Sequence, residues 1–384
     1  MADGRLDAAP SPTPWAGRRV VLVHDWLTGM RGGEKVLEAI CRILPQAELV
    51  TLLYVPGSVS PVIAGRRIRT SFIQHLPFAR RLYRHYLPLF PIAVEMLDLD
   101  DADLVISTSH AAVKSVVRTG RARHLCYCHS PMRWAWDQFE AYFGADRVGP
   151  AAHAVLRRVM AGLARWDRAT ADRVDTYLAN SRYVAGRIAR YYNRHASVLY
   201  PPVDTFFFTP GGAPPEPYFL VVSALVPYKR IDVAIQAASR LGAAVELAEA
   251  LAFHRSEELD RRSGERPEAG FVRTDAGNLQ PRAQALVLPA EEDFGIAPVE
   301  AMACGRPVVA LARGGATESV EPDITGMLVH RQTPEAFAEA MRAAAVATWT
   351  PARLVERAAV FGSDRFDHGF RRALSDLVTA SPPC

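Results

Sequence analysis

Short, nearly continuous apolar runs alternate along the chain with longer stretches in which apolar positions return every three or four residues. Residues 19–24 (RVVLVH), 48–55, 103–108 (DLVIST), 124–128, 177–180, 218–223, 285–288 and 307–311 read as buried strands. A strand that is apolar on both faces needs cover on both faces, so the pattern predicts parallel sheets wound by helices rather than hairpins. Helices are expected over about 33–44, from Asn180 with Ser181 as N-cap, from about Lys229, over 334–347 and over 351–378. Pro298 lacks a backbone donor and is tolerated only in a first helical turn, which sets another helix start near Ile296 or Ala297.

One stretch breaks the rhythm. Residues 243–283 are rich in charge and poor in large apolar residues, and no four-residue buried strand is visible there. A chain of 384 residues suits two domains, and Pro201 and Pro202 form a stiff connector between them. The expected division is a polar, disordered tail over 1–17, a first domain over 18–203, a second over 204–362, and a last helix over 363–384 that crosses back to the first.

Composition adds little to fold class but changes the picture of partners. Hydrophobic residues make up 49% and charged residues 22%, as in globular proteins. The five cysteines are odd in number and form no CxxC pair, which points to reduced thiols and a cytoplasmic setting. No apolar stretch approaches the ~18 residues that span a bilayer. Charge is uneven: residues 1–200 hold 27 Lys+Arg against 17 Asp+Glu, residues 201–384 hold 18 against 24. The first half therefore suits an anionic partner. With no zinc pattern or RNA-binding aromatic signature, nucleic acid is set aside in favour of a membrane surface or a diphosphate-linked lipid. Residues 71–97 interleave aromatics with Arg80, Arg81, Arg84 and His85, and read either as an interfacial amphipathic segment or as a helical lid with a solvated basic face.

The candidate chemistry lies where strands end, since open α/β sheets bind ligands in the crevice beyond the carboxyl ends of their strands. After the first strand, Gly32 and Gly33 open a helix whose N–H groups can approach an anion, without the spacing of a dinucleotide fingerprint. Glu292 sits in the loop after 285–288, with Phe294 and Gly295 beside it, and Glu300 follows in the opening turns of the next helix. Both carboxylates would face the crevice, or else merely favour a helix dipole. Lys229 and Arg230 oppose the dipole of the helix they open, and a bound diphosphate would account for them, as would solvation at the surface. Gly314 and Gly315 in RGGATESV form another glycine turn into a helix. His129 lies just past a strand end.

The string EEDFGIAPVEAMACGRPVV resembles the signature of retaining, nucleotide-sugar-dependent glycosyltransferases of the GT-B fold, family 4 type. CHSPMRWAWD and SALVPYKRID resemble the branch of bacterial O-antigen and exopolysaccharide mannosyltransferases. The resemblance implies two Rossmann-like domains facing a cleft. It implies transfer of a hexose, mannose from GDP-mannose, to a glycan or polyprenyl-diphosphate-linked acceptor in polysaccharide synthesis, at the inner face of the membrane and without a metal or other cofactor. By the same resemblance Glu292 holds hydroxyls of the donor sugar, Glu300 the ribose and Lys229 the phosphates, while His129 approaches the sugar. The Gly32–Gly33 and Gly314–Gly315 turns, Arg230, Phe294 and Gly295 complete the donor site. Two departures stand out. Ala224 replaces an Arg common in relatives, leaving Arg230 as its substitute, and 243–283 replaces two strands that line the nucleotide base. An inactive homologue that only binds partners is therefore the alternative reading.

Overall fold

The computed structural model describes residues 13–118, 120–212, 214–224, 226–248 and 280–380. Two parallel sheets form its frame. The first carries β1 (Val20–His24), β2 (Glu48–Thr51), β3 (Ile68–Thr70), β4 (Leu104–Ser109), β5 (Arg123–Cys128), β6 (Thr176–Ala179) and β7 (Ala196–Val198), in the order β3-β2-β1-β4-β5-β6-β7. The second carries β8 (Tyr218–Val222), β9 (Ala244–Ala248), β10 (Ala285–Leu288), β11 (Val308–Leu311) and β12 (Gly326–Val329), in the order β12-β11-β10-β8-β9. Strand order reverses between β1 and β4 in the first sheet and between β8 and β10 in the second, and these two switch points face each other across the cleft described below.

The principal helices are α1 (Gly32–Ile43), α2 (Pro150–Ala169), α3 (Arg182–Tyr192), α4 (Ile231–Leu241), α5 (Ile296–Ala303), α6 (Pro334–Val346), α7 (Pro351–Ala359) and α8 (Ser363–Thr379). Several lay an apolar stripe on a sheet, while α2 packs mainly on other helices; α4, for example, buries Val233, Ala234, Ala237 and Ala238 against Phe219, Val221 and Val287. Helix α8 belongs to the core of the first sheet, where Phe366, Phe370, Leu374 and Leu377 pack with Leu22, Leu104 and Tyr127. The strands read from apolar runs occur as expected, and α5 starts at Ile296. Cys41, Cys126, Cys128 and Cys304 are buried free thiols. No helix among the described residues is long and apolar enough to cross a membrane.

Several expectations need correction. Residues 243–283 do contain a strand: AVELA pairs with β8 and is the outermost strand of the second sheet among the described residues. The rest of that expectation, over 249–279, lies outside the described residues. So does the tail over 1–12, whereas Thr13–Gly17 forms a turn and Trp15 is buried among Val20, Leu22 and Leu377. The helix expected from Lys229 begins at Ile231, because Pro227–Lys229 is a 3-10 turn and Arg230 adopts a left-handed φ of 50°. The helix expected over 351–378 breaks at Gly362, where the chain pairs with Val203; the Val203 N–H donates to Phe361 O at 3.0 Å. The short strands β3, β7 and β12, of three or four residues each, were not read from the sequence. Residues 71–97 are short helical turns that bury Ile73, Tyr83, Leu87, Phe90 and Val94 in the first core, while Phe78 stays 76% and Met96 69% exposed.

The two halves are pinned together by the loop after β10, where three acids follow one another. Tyr183 donates its hydroxyl to Glu291 at 2.8 Å. Asp293 accepts from Arg187 Nη1 at 3.0 Å and from Arg133 Nε at 2.9 Å, and its backbone oxygen accepts from Ser181 Oγ at 2.6 Å. Glu318 caps the start of α3, accepting the Arg182 and Tyr183 N–H groups at 2.8 and 2.9 Å, where the helix dipole favours an anion. Burial disfavours charge on Arg133, but Asp293, then Tyr228 and Glu292, hold its pKa above the ordinary value. Asp293→Ala would leave two guanidinium groups in a dry interface, one of them without an acid. The expected loss is about 3–5 kcal/mol of unfolding free energy, read by urea denaturation; a loss below about 1 kcal/mol would mean that water enters the interface freely.

Candidate functional site

Between the two sheets lies an open cleft of about 2000 Å³. Its first wall is set by Asp25, the residue after β1, which is fully buried. Its carboxylate accepts the backbone N–H groups of His110, Ala111, Ala112 and Val113 at 2.7–3.0 Å, fixing the loop that leaves β4. Burial alone would raise its pKa; His110 and the backbone donors bring it below the ordinary carboxylate range. His110 in turn packs edge-on to Trp26, 4.4 Å between ring centres, and 6.3 Å from the ring of His129.

His129 follows β5 and lines the cleft opposite the start of α1. A Cβ on Gly33 would lie 3.6 Å from its Nε2, an ordinary contact distance, so the helix start lies beside the ring. That Nε2 is shielded from water and has no hydrogen-bond partner. Burial, with His110 and His24 adding to it, pushes the His129 pKa down to about 3, which leaves a neutral imidazole with a free polar atom. Gly32 reaches across the cleft, where its Cβ would meet Ile296 Cδ1 at 3.1 Å.

The second wall carries the paired carboxylates. Lys229 donates to Glu292 Oε1, and both side chains are largely buried. Glu300, 7% exposed, accepts from Lys35 Nζ at 2.8 Å and from Gln280 Nε2 at 3.2 Å. Gly295 caps α5 with φ of 80°, a conformation that a side chain would strain. Phe294 packs with tilted rings between Tyr200 and Phe361, at 5.5 and 5.4 Å between ring centres, and lines the cleft.

The structure thus brings Gly32, Gly33, His129, Lys229, Glu292, Phe294, Gly295 and Glu300 to one cleft. Three other candidates lie elsewhere. Arg230 turns to Asp232 at 3.0 Å and to Gln332, away from the cleft. Gly314 and Gly315 press on the backbone of the acid loop: a Cβ on either would overlap Glu292 O or Phe294 Cα, and the Gly315 N–H is already given to Glu292 O at 2.9 Å. They shape the loop that carries Glu292 instead of offering N–H groups to a ligand. Sequence reasoning missed Asp25, Lys35, Arg133, Arg187, Asp293 and Glu318. Asp293 stood in the open, inside EEDFG, but a loop acid gives no hint of which cations it will meet. Among the described residues no group of three His, Cys, Asp or Glu side chains is placed to hold a metal ion.

Two histidines in this wall make acid sensitivity predictable. His124 lies buried between Ser107 Oγ at 2.7 Å and Arg173 O at 3.0 Å, and burial pushes it down to about 4. His129 lies lower still. In the unfolded chain both would titrate near the ordinary 6.5 or so, so between that value and the folded ones the unfolded state binds more protons. Their stabilising contribution is complete above about pH 6.5 and is lost as pH falls towards the folded values. His129→Gln should flatten the dependence of unfolding free energy on pH in that window by up to about 1.4 kcal/mol per unit, measured by urea denaturation. An unchanged slope would show that the ring is solvated in the folded protein.

Each half of the chain is similar to a described family. Residues 30–207 match the family described as Glycosyltransferase Family 4, and residues 216–345 match Glycosyl transferases group 1. A D-inositol 3-phosphate glycosyltransferase of Catenulispora acidiphila is 30% identical over 246 residues, covering 55% of each chain. A namesake from Kribbella flavida is 31% identical over 215 residues, covering 46% of this chain and 49% of its own. The chain thus spans about half the length of these curated relatives. Among solved structures, Anabaena HepE in complex with UDP and glucose superposes with a TM-score of 0.65 at 18% identity over 93% of this chain and 99% of that one. The sucrose-phosphate synthase of Thermosynechococcus elongatus gives 0.65 at 18% over 95% and 100%. With one family matching each half of the chain, and parallel sheets facing a cleft as in these structures, the protein has the GT-B fold of the family 4 and group 1 glycosyltransferases.

Proposed function

We propose that the protein transfers a hexose from a nucleoside-diphosphate sugar to an acceptor with retention of configuration. The observation that carries this reading is the pair of lysine-neutralised carboxylates, Glu292 and Glu300, set either side of the start of α5 and facing the glycine turn of α1 and the neutral His129. A leaving diphosphate gathers negative charge as the sugar becomes cationic. Lys229 and the N–H groups at the start of α1 would stabilise that charge, and such preorganised electrostatics supply the largest share of catalysis. Glu292 and His129 orient the sugar, and Glu300 the ribose.

The finer reading is mannose from GDP-mannose, supported by the strings around His129 and Lys229. The acceptor side is the apolar end of the cleft, where Leu87, Trp134, Tyr142, Leu156 and Met160 lie near Arg84 and His85. This composition suits an acceptor with an anionic phosphate and an apolar portion, such as a polyprenyl-diphosphate glycan. The relatives' printed acceptor, an inositol phosphate, shares the phosphate but not the apolar part.

Calorimetry with GDP and UDP, followed by turnover with their sugars, tests the donor. Parent protein should bind one diphosphate at micromolar level, and Lys229→Ala should lose about 1.5–3 kcal/mol of that binding. Absence of binding by the parent would favour a homologue that only binds partners. Unchanged affinity in the variant would remove Lys229 from the donor site.

We also place the protein against an anionic membrane, through the exposed Phe78, Leu82, Ile92 and Met96 with Arg80, Arg81 and Arg84. Vesicle flotation should show binding that weakens with salt and loses about 1 kcal/mol per arginine in the triple alanine variant; equal flotation of parent and variant would refute it.

A further inference from the structure

The donor site holds two carboxylates, and each is matched by a lysine, but the two lysines come from different halves of the protein. Lys229 stands on the second sheet's side, beside Glu292. Lys35 stands in the first turn of α1, two residues after Gly33, and reaches over the cleft to Glu300. A cation in a first helical turn is disfavoured by the helix dipole, and a lysine 46% exposed has water within reach as an alternative. It nevertheless spans the cleft at 2.8 Å to a carboxylate that is itself buried. Meanwhile the cation expected to accompany Lys229 is missing: position 224 is Ala, and Arg230 is turned to Asp232 and Gln332.

We infer that Lys35 is the second phosphate-binding cation of the donor site, held on Glu300 until a nucleoside diphosphate exchanges the pairing. This rests on the reading of the cleft as a nucleoside-diphosphate sugar site. Without ligand, two lysines and two carboxylates balance. A diphosphate running from a ribose at Glu300 towards a sugar at Glu292 brings two negative charges past the start of α1, next to both ammonium groups. Each lysine then passes from carboxylate to phosphate oxygen. Each carboxylate is released to accept the hydroxyl hydrogen bonds that a ribose or hexose offers, which a carboxylate locked to an ammonium accepts poorly. Only ion pairs and hydrogen bonds are exchanged. Because the two lysines belong to opposite walls, the diphosphate becomes the tie between them.

The alternative is that Lys35 only fastens the two walls through Glu300, in which case it competes with the ribose. The two differ in sign. Titration calorimetry of the parent, Lys35→Ala and Lys35→Arg with GDP, UDP and the matching nucleoside decides between them, with thermal unfolding confirming that the variants fold. Lys35→Ala should lower affinity for the bound diphosphate by about tenfold to a hundredfold, leave nucleoside affinity unchanged or raised, and be largely restored by Lys35→Arg. Unchanged or increased diphosphate affinity in Lys35→Ala, while the parent binds normally, would overturn the role of Lys35 and leave the donor site standing. A parent that binds neither diphosphate would overturn the donor site and this proposal with it.

Discussion

Glu291, Glu292 and Asp293 put three like charges on successive residues of one short, largely buried loop. Such a loop is stable only if each carboxylate meets its own donor, and the three donors come from three places: Tyr183, Lys229, and the pair Arg133 and Arg187. That requirement organises much else. It brings α3 and the loop after β5 to the second sheet, seats Glu318 on the start of α3, and leaves Glu292 pointing into the cleft with its neighbours bound elsewhere. Glycine is needed at 314 and 315 for the same reason, since the loop's backbone runs against theirs with no space for a Cβ.

Most of the frame was legible in the sequence because parallel strands covered on both faces need apolar runs, and such runs are visible. The elements that were not legible are those whose stability is borrowed. Among the described residues the strand Ala244–Ala248 is paired only with β8, and Ala196–Val198 is three residues long with two of them exposed. The helix break at Gly362 is imposed by the pairing with Val203, a residue about 160 positions away, which no local pattern announces.

The candidate site divides in the same way. Glycine turns and acids at strand ends could be placed on loops from local spacing, and His129, Lys229, Glu292 and Glu300 do converge. What local spacing could not supply was the direction of long side chains. Arg230 and Lys35 are both cations near helix starts; one folds back on Asp232 within its own helix, and the other crosses to the opposite wall. The difference depends on which buried carboxylate lies within reach, a property of the assembled pair of sheets.

Among the described residues the chain passes between the two halves twice, once outward at Val203 and once on its return at Gly362, and those crossings lie side by side, paired through backbone. Two adjacent covalent threads act as a pivot pin. They oppose sliding and twisting of one half on the other, alongside the Asp293 ion pairs that pin the halves together. The return thread continues into α8, whose phenylalanines are embedded in the first core. The second half is therefore carried within the first, as an insertion whose two ends are anchored on the same side, and cutting the chain at Gly362 would strip the cover of Phe366, Phe370, Leu374 and Leu377 from the domain at the other end of the sequence.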